Sequence, residues 1–127
     1  MTPRQYVKSW TKKKKLRYDD IEETFVCVQD NDYGQGNFNC SHQNGCCGIG
    51  VLYHFDTNLD VKDKEFKLLK LSEIVAKDRG YFFATCSFNE HQQGFIKAAK
   101  KLKWKQTAKF RNAGHGNMIH VFQKKLS

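Results

Sequence analysis

The sequence predicts an α/β fold: a single domain over residues 1–127, with a mixed sheet, helices on both faces and a C-terminal strand pair. Three observations carry that prediction. A β-branched and aromatic run occupies residues 46–55, two later segments repeat apolar residues at helical spacing, and two strand-like runs near the C-terminus are joined by Asn112-Ala-Gly-His-Gly116. The chain, 127 residues and 39% hydrophobic, can bury one core, and its one proline and lack of a Ser/Gly-rich linker mark no internal boundary. No repeat is present.

Taken in order, Pro3 with Tyr6, Val7 and Trp10 on one helical face predicts a short helix over 3–10. The lysine run at 12–15 leads into Thr-Phe-Val-Cys-Val at 24–28, a strand by its β-branched and aromatic content. Residues 30–45, rich in Asn, Asp, Gly and Ser, are expected to form a loop. Within 46–55, Ile49, Val51, Tyr53 and Phe55 alternate with Gly50, Leu52 and His54. Both faces are fairly apolar, which places this strand centrally in the sheet. Leu71, Ile74 and Val75 predict a helix over 65–79 with Gly80 as its stop, and 81–86 reads as a short buried strand. Phe95, Ala98, Ala99 and Leu102 predict an amphipathic helix over 89–104, lysines opposite and Asn89 as N-cap. Residues 107–111 and 117–123 are the closing strands.

This order, over about residues 46–126, resembles the GNAT family of acyl-CoA-dependent N-acyltransferases. The likeness rests on Gly80-Tyr-Phe-Phe-Ala-Thr-Cys86, Ala98-Ala-Lys-Lys-Leu-Lys-Trp104, and Arg111-Asn112 with Asn117-Met-Ile-His-Val-Phe122. The C-terminal part is also similar to short GNAT-like proteins of phages. The resemblance implies acyl transfer from acetyl-CoA to an amine, with Asn89 and His91 near the acyl carrier's tail. One departure concerns phosphate binding. The family sets a Gln/Arg-x-x-Gly-x-Gly/Ala loop before its central helix, where backbone amides meet a pyrophosphate, but residues 57–64 contain no glycine. Acetyl-CoA is therefore expected to bind no more tightly than about 100 μM, roughly −5.5 kcal/mol.

Few residues can do the chemistry. His54 and Asp56 end the central strand and Cys86 ends the next, so neighbouring strand ends would bring them to one cleft. In acyl transfer, His54 or Asp56 would take the amine proton, directly or through water, and Tyr53 or Cys86 would reprotonate the leaving thiolate. A Cys86 nucleophile with His54 as base is a second arrangement. A small buried residue is the plainer account of Cys86. The Gly-x-Gly pairs beginning at Gly34, Gly48 and Gly114 lead into no helix and are assigned to turns and close backbone approach. Cys40-Ser-His42-Gln-Asn-Gly-Cys46-Cys47 gathers donors that suit zinc, but the spacing is not standard and no second ligand pair follows. No metal site is assigned.

Charge is distributed unevenly. From His91 onward there is no Asp or Glu, and the nine Lys and Arg residues there equal the net charge of +9. Lys97, Lys100, Lys101 and Arg111 are the expected contacts for a polyanion, with Trp10, Tyr18, Trp104 and Phe110 available for stacking or packing. The alternative to an enzyme is thus a non-catalytic GNAT-like protein whose basic face meets nucleic acid or an acidic host protein. A solvated lysine face is the simplest explanation, against which Lys97 and Lys101 repel at i, i+4. No apolar run approaches the ~20 residues needed to cross a bilayer. No signal peptide is visible, and five cysteines including the adjacent Cys46 and Cys47 do not read as a disulfide framework. A cytoplasmic location is expected.

Overall fold

The computed structural model describes residues 1–10, 16–21, 24–29, 32–40, 49–59, 61–114 and 116–126. Along the chain these form α1 (Pro3–Lys8), β1 (Arg17–Ile21), β2 (Thr24–Gln29), β3 (Asp32–Cys40), β4 (Ile49–Thr57), α2 (Lys64–Asp78), β5 (Phe83–Asn89), α3 (Gln93–Lys101), β6 (Lys105–Arg111) and β7 (Met118–Lys125). The strands make one sheet in the order β1-β2-β3-β4-β5-β7-β6. Every neighbouring pair is antiparallel except β4 and β5, which α2 connects as a crossover.

The central position expected for the 46–55 strand is the one β4 holds. The expected loop at 30–45 is instead largely β3, paired on both sides. Its Asn, Gly and Asp content argues for turns locally, but two neighbouring strands satisfy its backbone groups and outweigh propensity. Gly34 is needed there: a Cβ would stand 2.9 Å from Leu59 Cδ1. β1 was not expected from composition. It is a sheet edge whose Tyr18 is buried beneath α1, with the Arg4 guanidinium 5.6 Å over its ring and donating to its carbonyl at 2.9 Å.

Local signals set the helix ends. Thr2 and Gln5 form a capping box at α1, each side chain accepting the other's backbone N–H. α2 ends as expected at Gly80, which has φ +85°, and the following Tyr81 N–H donates to the Ala76 carbonyl at 2.9 Å. α3 begins later than the predicted 89–104 because Asn89 still belongs to β5, where it pairs with Ile119. The N-cap is Gln92, not Asn89.

One core joins the helices to the sheet. Ala84, Cys86 and Phe88 on alternate positions of β5 and Phe122 of β7 are buried with Leu68, Leu69, Leu71 and Val75 of α2 and with Phe95, Ala98 and Ala99 of α3. Phe95, Ala99 and Leu102 thus face inward, as their spacing predicts. The helices are more one-sided than expected. α1 touches α2 and α2 touches α3, while Glu73 of α2 and Phe95 of α3 reach Lys124 and Phe88 on the same sheet face. The crossover and the β5–α3 connection both return over that face, so Phe83, Thr85 and Ser87 on the opposite one are less covered.

Inside this layer sits a charged group, Glu73, that apolar periodicity does not reveal. Glu73 is 6% exposed, and its Oε1 accepts from Trp104 Nε1 at 2.7 Å and from Lys124 Nζ at 2.7 Å. Lys124 Nζ also donates to the Leu102 carbonyl. A buried carboxylate needs such partners. Trp104 is consequently a packing residue, and Trp10 and Tyr18 are buried too, leaving Phe110, 51% exposed, as the accessible one of the four aromatics considered for stacking.

Candidate active site

The parallel ladder between β4 and β5 runs from Ile49–Phe83 to Leu52–Cys86 and stops there. Both strands continue, β4 to Thr57 and β5 to Asn89. Beyond Leu52 and Cys86 the edges facing across this junction therefore lie outside the ladder, in the middle of an otherwise continuous sheet. The register explains the parting. Gln35 pairs with Asp56 but Asn37 with Tyr53, so the single residue Gly36 faces the two residues His54 and Phe55 of β4. This is a β-bulge on β4, and a bulge bends and twists its strand. It also interrupts the strict alternation predicted through Phe55, a detail that composition does not encode.

Tyr53, His54 and Asp56 occupy the part of β4 that has left β5, and Cys86 stands opposite Leu52 at the last rung. The structure thus brings the expected strand positions to one junction. It also narrows the role of Cys86. The thiol is buried under the helix layer, and burial, then the nearby Glu73 charge, pushes its pKa well above the ordinary thiol value. At neutral pH it stays protonated, so the structure disfavours the Cys86 nucleophile.

At the mouth of the junction, Asn89 ends β5 and its side chain serves the turn into α3: Oδ1 accepts the His91 N–H at 3.0 Å, and the Asn89 N–H donates to Gln92 Oε1 at 2.9 Å. His91 lies in this exposed turn, before the helix it was expected to open. α2 and α3 both start at this end of the parallel pair, where α/β proteins form their ligand crevices. Asp63, Glu65 and Phe66 of α2 line a cavity of about 180 Å³ there with Gly94, Lys97, Ala98 and Lys101 of α3. Lys100 is also exposed on α3. Arg111, on β6, instead donates to the Gly116 carbonyl of its own hairpin.

The start of α2 suits a pyrophosphate poorly. Asp63, its N-cap, takes φ 54° and ψ 47° and gives no side-chain cap, and Glu65 follows in the first turn. Two carboxylates thus occupy the positive helix end. Glu65 also fills the space beside Gly94, where a Cβ would stand 2.8 Å from its Cδ. Strand edges outside the ladder are a better match for an extended amide-containing arm, which can hydrogen-bond to backbone groups. The Cys40–Cys47 motif falls mostly outside the described residues, among which no group of three metal-ligating side chains occurs. Among them, too, no helix is long and apolar enough to cross a membrane.

No protein-family model and no curated protein sequence matches the chain. Solved structures do. A GNAT-family acetyltransferase from Streptococcus pneumoniae superposes with a TM-score of 0.67 at 12% identity, over 82% of this chain and 66% of that one. A putative acetyltransferase from Salmonella typhimurium, solved with its cofactor acetyl-CoA, gives 0.66 at 15% identity, over 82% and 64%. The ribosomal-protein-S18-alanine N-acetyltransferase of Escherichia coli gives 0.63 at 12% identity, over 97% and 76%. The chain spans just under two thirds of the first two structures' length. With the seven-stranded mixed sheet, the β4–β5 parallel pair and the closing strand pair of its described residues, the protein has a GNAT-like fold.

Proposed function

We propose that the protein transfers an acyl group from a thioester to an amine, the reading that its fold and the parting of β4 from β5 support best. The carrying observation is the ladder that ends at Leu52–Cys86, beside a bulge at His54–Phe55. Backbone groups released there would pair with the donor's amide arm and hold its thioester carbonyl in place; a backbone N–H aimed at that oxygen would stabilise the charge developing on it. His54 or Asp56, on the freed part of β4, takes the proton of the attacking amine. The new C–N bond forms, the C–S bond breaks, and the thiolate receives a proton from Tyr53. Cys86 has no chemical part in this scheme. Asn89 and His91 shape the turn at the mouth, where the donor's tail would pass. Acetyl-CoA is the donor that the fold suggests, bound weakly because the start of α2 lacks a phosphate nest.

The test is thiol release from millimolar acetyl-CoA, and from acetyl-N-acetylcysteamine, in the presence of a panel of primary amines. Amine-dependent release is expected, falling about 10²-fold or more in His54→Ala or Asp56→Ala, whichever is the base. If neither thioester gives amine-dependent release, the proposal fails.

A further inference from the structure

Two features of the cleft mouth contradict each other if the donor is a free nucleotide thioester. The helix start that would cradle phosphates carries Asp63 and Glu65, and no glycine lies in residues 57–64. Positive charge is nevertheless concentrated immediately beside it. Lys97 and Lys101 line the shared cavity, Lys100 and Lys103 extend the row, and all four are exposed. None makes an ion pair among the described residues, although Lys97 and Lys101 stand at the repelling i, i+4 spacing. The row is therefore exposed beside the cleft mouth and available to an anionic partner.

We infer that the acyl group is delivered by an acidic carrier protein, as a thioester on a flexible pantetheine-type arm, and that the carrier docks on the lysine face of α3. The inference rests on the acyltransfer reading above and deepens it by naming the donor. The arm needs only the narrow space between β4 and β5, whereas the carrier's negative surface supplies the affinity that a pyrophosphate nest would otherwise provide. Charge complementarity also fixes the side of approach. Residues 18–61, which include β2, β3 and β4, contain eight Asp and Glu and no Lys or Arg, so an acidic protein is repelled there and drawn to α3. The reaction then balances as before: the amine gains the acyl group, and the arm leaves as a free thiol on the carrier.

Fluorescence anisotropy with a labelled acidic acyl carrier protein tests this directly, using its acetylated holo form, its apo form without the arm, and a short DNA duplex. The holo form should bind the full chain more tightly than the apo form, since only it inserts an arm, and should weaken as salt is raised. The triple variant K97Q/K100Q/K101Q should lose about tenfold or more in affinity with its melting temperature kept, and K97R/K100R/K101R should restore binding. No binding of the holo form, equal binding of apo and holo forms, or a duplex that binds as tightly as the carrier would overturn the inference. Those outcomes leave the acyltransfer reading intact if thiol is still released from acetyl-CoA; loss of thiol release from both small thioesters removes the reading and the inference together.

Discussion

α2 and α3 leave the same end of two parallel neighbours, yet the protein uses them differently. α2 is embedded: Leu68, Leu69, Leu71, Ser72, Glu73, Val75 and Ala76 are all buried. α3 buries only Phe95, Ile96, Ala98 and Ala99, and turns its lysines to solvent. Both nevertheless end in the same turn. Tyr81 N–H donates to Ala76, and Trp104 N–H to Ala99, each at 2.9 Å, across a left-handed residue. That residue is Gly80 after α2 but Lys103, at φ 65°, after α3. A left-handed lysine is unfavourable by about 1 kcal/mol. It is tolerated where the next residue is held from outside the helix, as Trp104 is by Glu73.

The difference between the two helices is most sensitive at Glu73. Glu73→Ala removes the shared acceptor of Trp104 and Lys124 and should cost about 3–5 kcal/mol in urea unfolding, with Glu73→Gln milder. Exchanging the turn residues should give opposite signs: Lys103→Gly is expected to stabilise by about 1 kcal/mol and Gly80→Lys to destabilise by a similar amount, read from denaturation midpoints. On the solvent face of α3, Lys97→Gln removes the like-charge repulsion with Lys101 without adding a carboxylate beside Asp63 and Glu65. A gain of about 0.5 kcal/mol, lost at high salt, should follow in thermal melts. An effect confined to alkaline pH lies at the α1 contact with α2. Burial, slightly offset by Trp10, raises the Tyr6 phenol to about 12 from 10.0. The folded state then keeps a proton that the unfolded chain releases, so this contribution is complete below pH 10 and is lost as pH rises toward about 12. Part of the alkaline decline in stability should disappear in Tyr6→Phe.

How much of this could be read in advance depended on whether a residue's role is local. The inward face of α3, the stop at Gly80 and the closing hairpin are set by spacing and turn chemistry, and they stand where the sequence puts them. β3 was hidden because its Asn and Gly residues favour turns until β2 and β4 supply partners. The end of β5 was misplaced because Asn89 makes a good cap on paper, while its pairing with Ile119 holds it in the strand. For the candidate site, Tyr53, His54 and Asp56 were legible as the end of an apolar strand. The bulge that separates this end from β5 was not, since it exists only in the register of β4 against Gly36. Glu73 stood in an apolar stretch as a solitary acid, and that isolation was the available signal.

The position of β7 has a consequence for how the molecule is made. β7 follows β6 in the chain but lies between β5 and β6 in the sheet. A ribosome releases β6 before β7, so β6 emerges with no strand to join, and β5 emerges with one edge open. Neither can be completed until residues as late as Lys125, the partner of Phe83, are outside the exit tunnel. The C-terminal half of the sheet must then close in one late step, across long sequence separations, which makes it slow and leaves both edges exposed to other nascent chains in the interval.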